Sequence, residues 1–146
     1  MDDIDRSILV ALVDDGRLSY QQLADQVHLS SNSTADRVRR LRQSGVLAGF
    51  HAELNLASLG YTLHSLTDAK LKEAVERRDF EDALRGVPQL LSAVHTTGEF
   101  DYQLRIVSSS TNELESVGDT LRQFGARDIQ SRIVLGEVRY NSARLL

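Results

Sequence analysis

Apolar positions in the first third of the chain recur at helical spacing. Ile4, Ile8, Leu9 and Leu12 fall on one face of a predicted helix over residues 3–14, with Asp2 or Asp3 placed to cap it and Asp15-Gly16 to end it. Ser19, with Gln22 three residues on, is a capping-box pattern that opens a second helix whose apolar residues are Leu23, Ala24 and Val27. His28-Leu29 makes a turn. Ser30 can cap a third helix running to about Gln43, and Gly45 stands just past its end. Thr34, Val38 and Leu41 line the inner face of that helix, so Asn32, Ser33, Asp36, Arg37 and Arg40 point largely outward. A packing helix followed by two short helices across a tight turn is helix-turn-helix organisation. Val46–Leu56, with Leu47, Phe50 and Leu54, reads as an extended wing or bridging strand, and Asn55–Gly60 (NLASLG) as a linker.

The second half changes period. Tyr61–Leu71 alternates roughly as a strand, although His64, Thr67 and Asp68 interrupt it. Arg78–Gly86 reads as a helix with Phe80, Ala83 and Leu84 apolar, and Pro88 stops it. Leu90–Thr96 and Tyr102–Val107 read as strands joined by the turn Thr97–Asp101 (TGEFD). Asn112–Phe124 is a second amphipathic helix, with Leu114, Val117, Leu121 and Phe124 on one face, and Ile129–Val138 a last strand. The order βαββαβ predicts a four-stranded antiparallel sheet with two helices on one face. The other face is then expected to carry apolar side chains that need a partner or a ligand. The fold class is α+β: a winged helix-turn-helix over residues 1–54, a linker over 55–60, and a ferredoxin-like βαββαβ domain over 61–146.

Charge singles out one element. Leu29–Gly45 holds Arg37, Arg39, Arg40 and Arg42 against Asp36, about +3, in a chain of 146 residues whose formal net charge is -4, which leaves about -7 for everything else. A short positive helix on an acidic body suggests one small surface made to meet a polyanion. Arginine's planar fork bonds guanine O6/N7 or phosphate at two points, which suits Arg37 and Arg40 to the major groove. Arg39 and Arg42, one row round, read as phosphate contacts or ion pairs within the first domain. Ser31, Asn32 and Ser33 open the helix, and the latter two are placed to meet base edges, or simply to cap. Asp36 can accept from a cytosine amine, or pair with Arg40 at i, i+4.

Other chemistry is thinner. The chain has no cysteine, hence no disulfide, thiolate metal site or cysteine nucleophile. His28, His51, His64 and His95 lack metal spacing; His64 and His95 fall on predicted strands of one sheet, where a paired site is one reading and a packing role the favoured one. The nine glycines form neither GxGxxG nor a P-loop, and no serine sits in a nucleophile motif, so no enzyme, cofactor or metal centre is expected. The acidic N-terminus does not suit a signal peptide and no apolar run reaches a membrane span, so a cytoplasmic protein is expected. In Thr97-Gly98-Glu99-Phe100-Asp101, glycine lets a ligand approach the backbone and Asp101 can receive an ammonium group; on the residues alone a β-turn is the favoured reading.

The winged helix-turn-helix and βαββαβ order carries Asp5-Arg6-Ser7-Ile8-Leu9, Asp15-Gly16-Arg17, Leu23-Ala24, Leu29-Ser30, Arg37-Val38-Arg39-Arg40-Leu41 and Gly45-Val46-Leu47, then Thr97-Gly98-Glu99-Phe100-Asp101-Tyr102. Together, and over nearly the whole chain, these resemble the Lrp/AsnC (feast/famine) family of bacterial and archaeal transcription regulators. The resemblance implies double-stranded DNA as a partner, an amino acid or related metabolite as effector, and a homodimer or higher homo-oligomer. It places the effector near Thr97, Gly98, Glu99 and Asp101, with Gln123 matching a position that contacts ligand in some members. The chain departs from the family pattern at His28, where glycine is usual, at Ser31, where proline is common, and at Leu63–Lys70 (LHSLTDAK), which is usually strongly apolar. The rival reading makes the βαββαβ half a metabolite-binding or small enzymatic module and the helix-turn-helix only a protein-interaction surface.

Overall fold

The computed structural model describes all 146 residues, which divide into two compact units, Met1–Glu53 with Val138–Leu146, and Leu54–Glu137. In the first unit three helices, α1 (Asp3–Asp14), α2 (Tyr20–Val27) and α3 (Ser31–Gln43), enclose Ile8, Leu9, Leu12, Leu23, Val38 and Leu41. Side chains set each helix start. Asp2 accepts from the Asp5 N–H while Asp5 accepts from the Asp2 N–H, Ser19 and Gln22 do the same for α2, and Ser30 accepts from the Ser33 N–H. His28, between α2 and α3, takes the left-handed conformation at φ 55°, the conformation that glycine adopts without cost.

Two expectations change here. Residues 46–56 form no strand: after Leu47 donates to the Leu41 carbonyl the chain runs unpaired, and Phe50 and Leu54 are exposed. The last segment, 138–146, belongs with the first unit and not with the sheet domain as a 61–146 boundary would have it. A single 3-10 turn at Ser142–Leu145 packs on α1; Leu146 joins the rim of the helical core, Arg6 donates to its carbonyl at 2.9 Å, and Asn141 donates to Asp14 at 2.7 Å.

The second unit holds β1 (Leu63–Leu71), α4 (Arg77–Leu84), β2 (Leu90–His95), β3 (Tyr102–Ser108), α5 (Thr111–Gln123) and β4 (Ala126–Ile133). All pairings are antiparallel in the order β2-β3-β1-β4, the arrangement expected from the element order. Tyr102, Leu104, Ile106, Ala69, Leu71 and Ala126 face Phe80 and Leu84 of α4 and Val117 and Leu121 of α5 in one core. β4 begins three residues before the predicted Ile129, because Ala126 pairs with Leu71. It ends at Ile133, not Val138: Ile133 pairs with Ser65, and Val134 makes one more bond, to the His64 carbonyl, although β1 continues to Leu63 beside β3.

The uncovered face of the sheet is not the apolar surface expected. Alternation from the buried rows places Leu66, Val94 and Val107 on it, but also Asp68, Lys70, Gln103, Arg105, Gln130 and Arg132. Asp68 is nearly buried and accepts from Gln103 at 3.1 Å and Arg132 at 2.5 Å. The polar residues of LHSLTDAK therefore sort by side: Ser65 and Thr67 go under the helices, His64 and Asp68 to the open face. Thr67 shares a hydrogen bond with Ser131 at 2.9 Å, whereas the buried hydroxyls of Ser65 and Ser108 have no partner.

Candidate nucleic-acid interface and effector turn

The exposed ridge of α3 is built by its own core residues. With Thr34, Val38 and Leu41 turned inward, Asn32, Ser33, Asp36, Arg39 and Arg40 stand in solvent. Arg40 makes no ion pair, and Arg39 bonds Asp36 one turn back. Asp36 therefore pairs at i, i+3 with Arg39 and not with Arg40 at i, i+4. A shallow cleft of about 500 Å³ beside the ridge is lined by Leu29, Ser33, Asp36, Arg37, Arg39 and Arg40.

Arg37 departs from the outward reading. Its Nη1 donates to both carboxylate oxygens of Asp2 (2.9 and 2.8 Å) and to Asp5 at 2.7 Å, and its side chain keeps only 20% of its exposure. The Asp5 and Asp2 carboxylates hold the Arg37 guanidinium above its ordinary range; the Asp5 N–H, then Arg37, hold Asp2 below the usual carboxylate range. Arg37 is thus a tie from the middle of α3 to the start of α1. Ser31 likewise turns back, donating its hydroxyl to Gln21 of α2 at 2.5 Å, and the Ser30 and Ser33 hydroxyls bond one another at 2.9 Å.

In the sheet unit the turn Thr97–Glu99 is exposed, with Gly98 at φ +112°, a conformation glycine readily takes. Asp101 is committed to the fold: its N–H donates to the Ala69 carbonyl, its carbonyl accepts from Thr96, and Oδ2 accepts from the Leu71 N–H at 2.7 Å. Gln123 ends α5 in solvent, two residues before Gly125, whose carbonyl accepts from the Lys72 N–H. Asp101, beside the end of β1, and Gln123, two residues before the Gly125 that bonds Lys72, therefore stand toward the same end of the sheet.

The sequence reading missed a cluster at that same end. The buried Tyr102 phenol donates to Glu81 at 2.5 Å, and burial first, then Glu81, pushes its pKa up to about 12. The His95 ring lies 5.2 Å from the Tyr102 ring, and Arg77 Nη1 lies 3.3 Å from both His95 ring nitrogens. Alternation alone would have put His95 and Tyr102 side by side had the pairing been known. His64 and His95 do not form a paired site: His95 pairs with Tyr102 and His64 with Val107, five residues or about 17 Å along β3.

A positive recognition helix joined in one chain to a βαββαβ sheet has counterparts among known proteins. The AsnC-type helix-turn-helix domain matches residues 1–42, and the Lrp/AsnC ligand binding domain matches residues 68–143. The Bkd operon transcriptional regulator of Pseudomonas aeruginosa is 34% identical over 98% of this chain and 96% of its own length. The chain belongs to the Lrp/AsnC family of transcriptional regulators. The HTH-type transcriptional regulator AldR of Mycolicibacterium smegmatis is 33% identical over 78% of this chain and 68% of its own. Among solved structures, the Neisseria meningitidis regulator NMB0573 in complex with L-Met superimposes with a TM-score of 0.90 at 31% identity, covering 100% of this chain and 99% of that one. LrpA of Mycobacterium tuberculosis gives a TM-score of 0.79 at 28% identity over 96% of each chain. The helix-turn-helix match takes in all four arginines of α3, and the ligand-binding match takes in both the 97–101 turn and Gln123. No helix of this Lrp/AsnC chain is long and apolar enough to cross a membrane.

Proposed function

We propose that this Lrp/AsnC regulator docks α3 in the major groove of a specific operator and that an amino acid, bound at the 97–101 end of the sheet, adjusts its assembly or its DNA affinity. The observation that carries the DNA half is the ridge Asn32-Asp36-Arg39-Arg40, solvent-facing and positive on an otherwise acidic chain. Arg40 and Asn32 read base edges, Arg39 reaches base edge or phosphate, and Arg37 and Ser31 hold the helix at the angle that presents them. The protein acts by binding and not by catalysis, as a homodimer or larger homo-oligomer whose paired recognition helices suit a pseudo-palindromic site. Its place of action is the cytoplasm.

The effector half is supported by the placement of Asp101 and Gln123 toward one end of the sheet, and by the L-Met complex of NMB0573. Asp101 Oδ1 is the oxygen left for an ammonium group, since Oδ2 is taken by Leu71. A ligand there shifts the DNA equilibrium only by its differential affinity for the two states. Arg40→Ala is expected to weaken operator binding by ~1–3 kcal/mol with the fold intact, measured by fluorescence anisotropy beside circular dichroism. Unchanged affinity removes Arg40 from the interface. Calorimetry with each of the twenty amino acids tests the effector: no heat from any of them, together with unaltered DNA binding in Asp101→Ala, overturns amino-acid sensing.

A further inference from the structure

On the α2 side of the ridge lies a second cleft, also about 500 Å³, lined by Tyr20, Ala35, Arg39, Arg42, Gln43, Leu47 and Ala48. We infer that this cleft seats a backbone phosphodiester flanking the bases that α3 reads, with Arg42 as its cation and Tyr20 and Gln43 as its neutral donors. The inference rests on the DNA-binding reading and adds a site to it.

The lining decides the chemistry. No carboxylate faces the cleft. Its polar groups are two guanidiniums, a carboxamide and a phenol, all able to donate. Arg39 is shared with Asp36, but Arg42 has no acid partner and stands exposed at the end of α3. Tyr20 is the first residue of α2, is half exposed and stands outside the helical core. The position is equally telling. Arg42 lies on the flank of α3 opposite the Arg37 tie, so it sits beside the base-reading ridge and not on it. A duplex whose groove receives the ridge brings a sugar–phosphate strand along that flank. Phosphate contacts of this kind fix register and orientation and carry little sequence information.

A cation in the last turn of a helix also suits the helix dipole, so the test must read more than stability. Arg42→Gln and Tyr20→Phe would be compared with Arg40→Gln by anisotropy on operator and scrambled duplexes across ~50–300 mM salt. Arg42→Gln is expected to weaken both duplexes by the same factor and to flatten the slope of log K against log salt by about 0.9, the share of one phosphate. Tyr20→Phe should weaken both equally and leave the slope in place. Arg40→Gln should weaken the operator more than the scrambled duplex. Native slope and affinity in both Arg42→Gln and Tyr20→Phe, beside a weakened Arg40→Gln, overturn the phosphate seat and leave the DNA reading standing. Failure of the native protein to bind either duplex overturns both. Binding of inorganic phosphate that Arg42→Gln abolishes, with DNA affinity unmoved, assigns the cleft to free phosphate and also overturns the seat.

Discussion

Arg37 and Arg40 are three residues apart on α3, yet one faces solvent and the other closes an ion-pair triad with Asp2 and Asp5. Arg37→Ala is therefore expected to lower the thermal midpoint of the first unit as well as its DNA affinity, whereas Arg40→Ala lowers affinity alone; circular-dichroism melts separate the two. The triad also carries a pH dependence. Asp2 is held below its ordinary range in the fold, so its contribution is present above the ordinary carboxylate value and fades as pH falls through the lowered one. Helical periodicity put Arg37 with the outward residues of α3, whereas its side chain is turned onto α1. Periodicity could not say where a long side chain would put its guanidinium, because Asp2 reads from sequence only as a helix cap and Asp5 only as part of the family signature. The left-handed turn at His28 was legible, since a turn lacking the usual glycine must still be made there. Gly125 is stricter than either: at φ +110° an added Cβ would stand 2.4 Å from Val75 Cγ2. Gly125→Ala should cost well over ~1 kcal/mol in chemical denaturation. Gly98→Ala, at φ +112° with open space around it, should cost only the conformational part.

Elements were legible where period and caps agreed. Three capped helices and the βαββαβ order follow from positions such as Ser19–Gln22 and Val117–Leu121. Strand ends were not, because they are set by the partner strand: β4 begins where Ala126 meets Leu71, and residues 46–56 have no strand beside them at all. The polar first strand explains itself only through pairing, which puts Thr67 against Ser131 and Asp68 against Gln103. Ser65 and Ser108 remain as buried hydroxyls without partners, at a cost of about 1–3 kcal/mol each for an unsatisfied group. Ser65→Ala is accordingly expected to raise the midpoint of chemical denaturation; a fall would show that the hydroxyl is satisfied. The β3–α5 junction is the acid-sensitive element. Glu113 accepts from the Ser109 N–H and hydroxyl and from Gln89, which lowers its pKa to about 2 from 4.5. Its stabilising share is complete above pH 4.5 and is lost as pH falls toward 2. Glu113→Gln should flatten the stability curve in that window, read by urea denaturation at stepped pH.

At the scale of the whole molecule, α3 is a net-positive element on a chain of net charge -4, so weak nonspecific attraction to DNA, with most of the affinity residing in the proposed ridge, is the expected outcome. The chain also ties its last segment back to α1 through Arg6, Asp14 and Leu146, so the DNA-binding unit is made from both ends of the sequence. That return was invisible in the sequence, where residues 138–146 show no period and sit next to the last strand. Operator recognition by α3 is tested most directly by an anisotropy titration of the native protein with DNA from upstream of its own gene, beside a scrambled duplex of equal length at ~0.1 M salt. A sequence-specific regulator binds the native fragment tighter by ~10³-fold or more, with affinity falling steeply as salt rises. A folded protein that binds neither duplex, with or without amino acids present, would contradict that recognition.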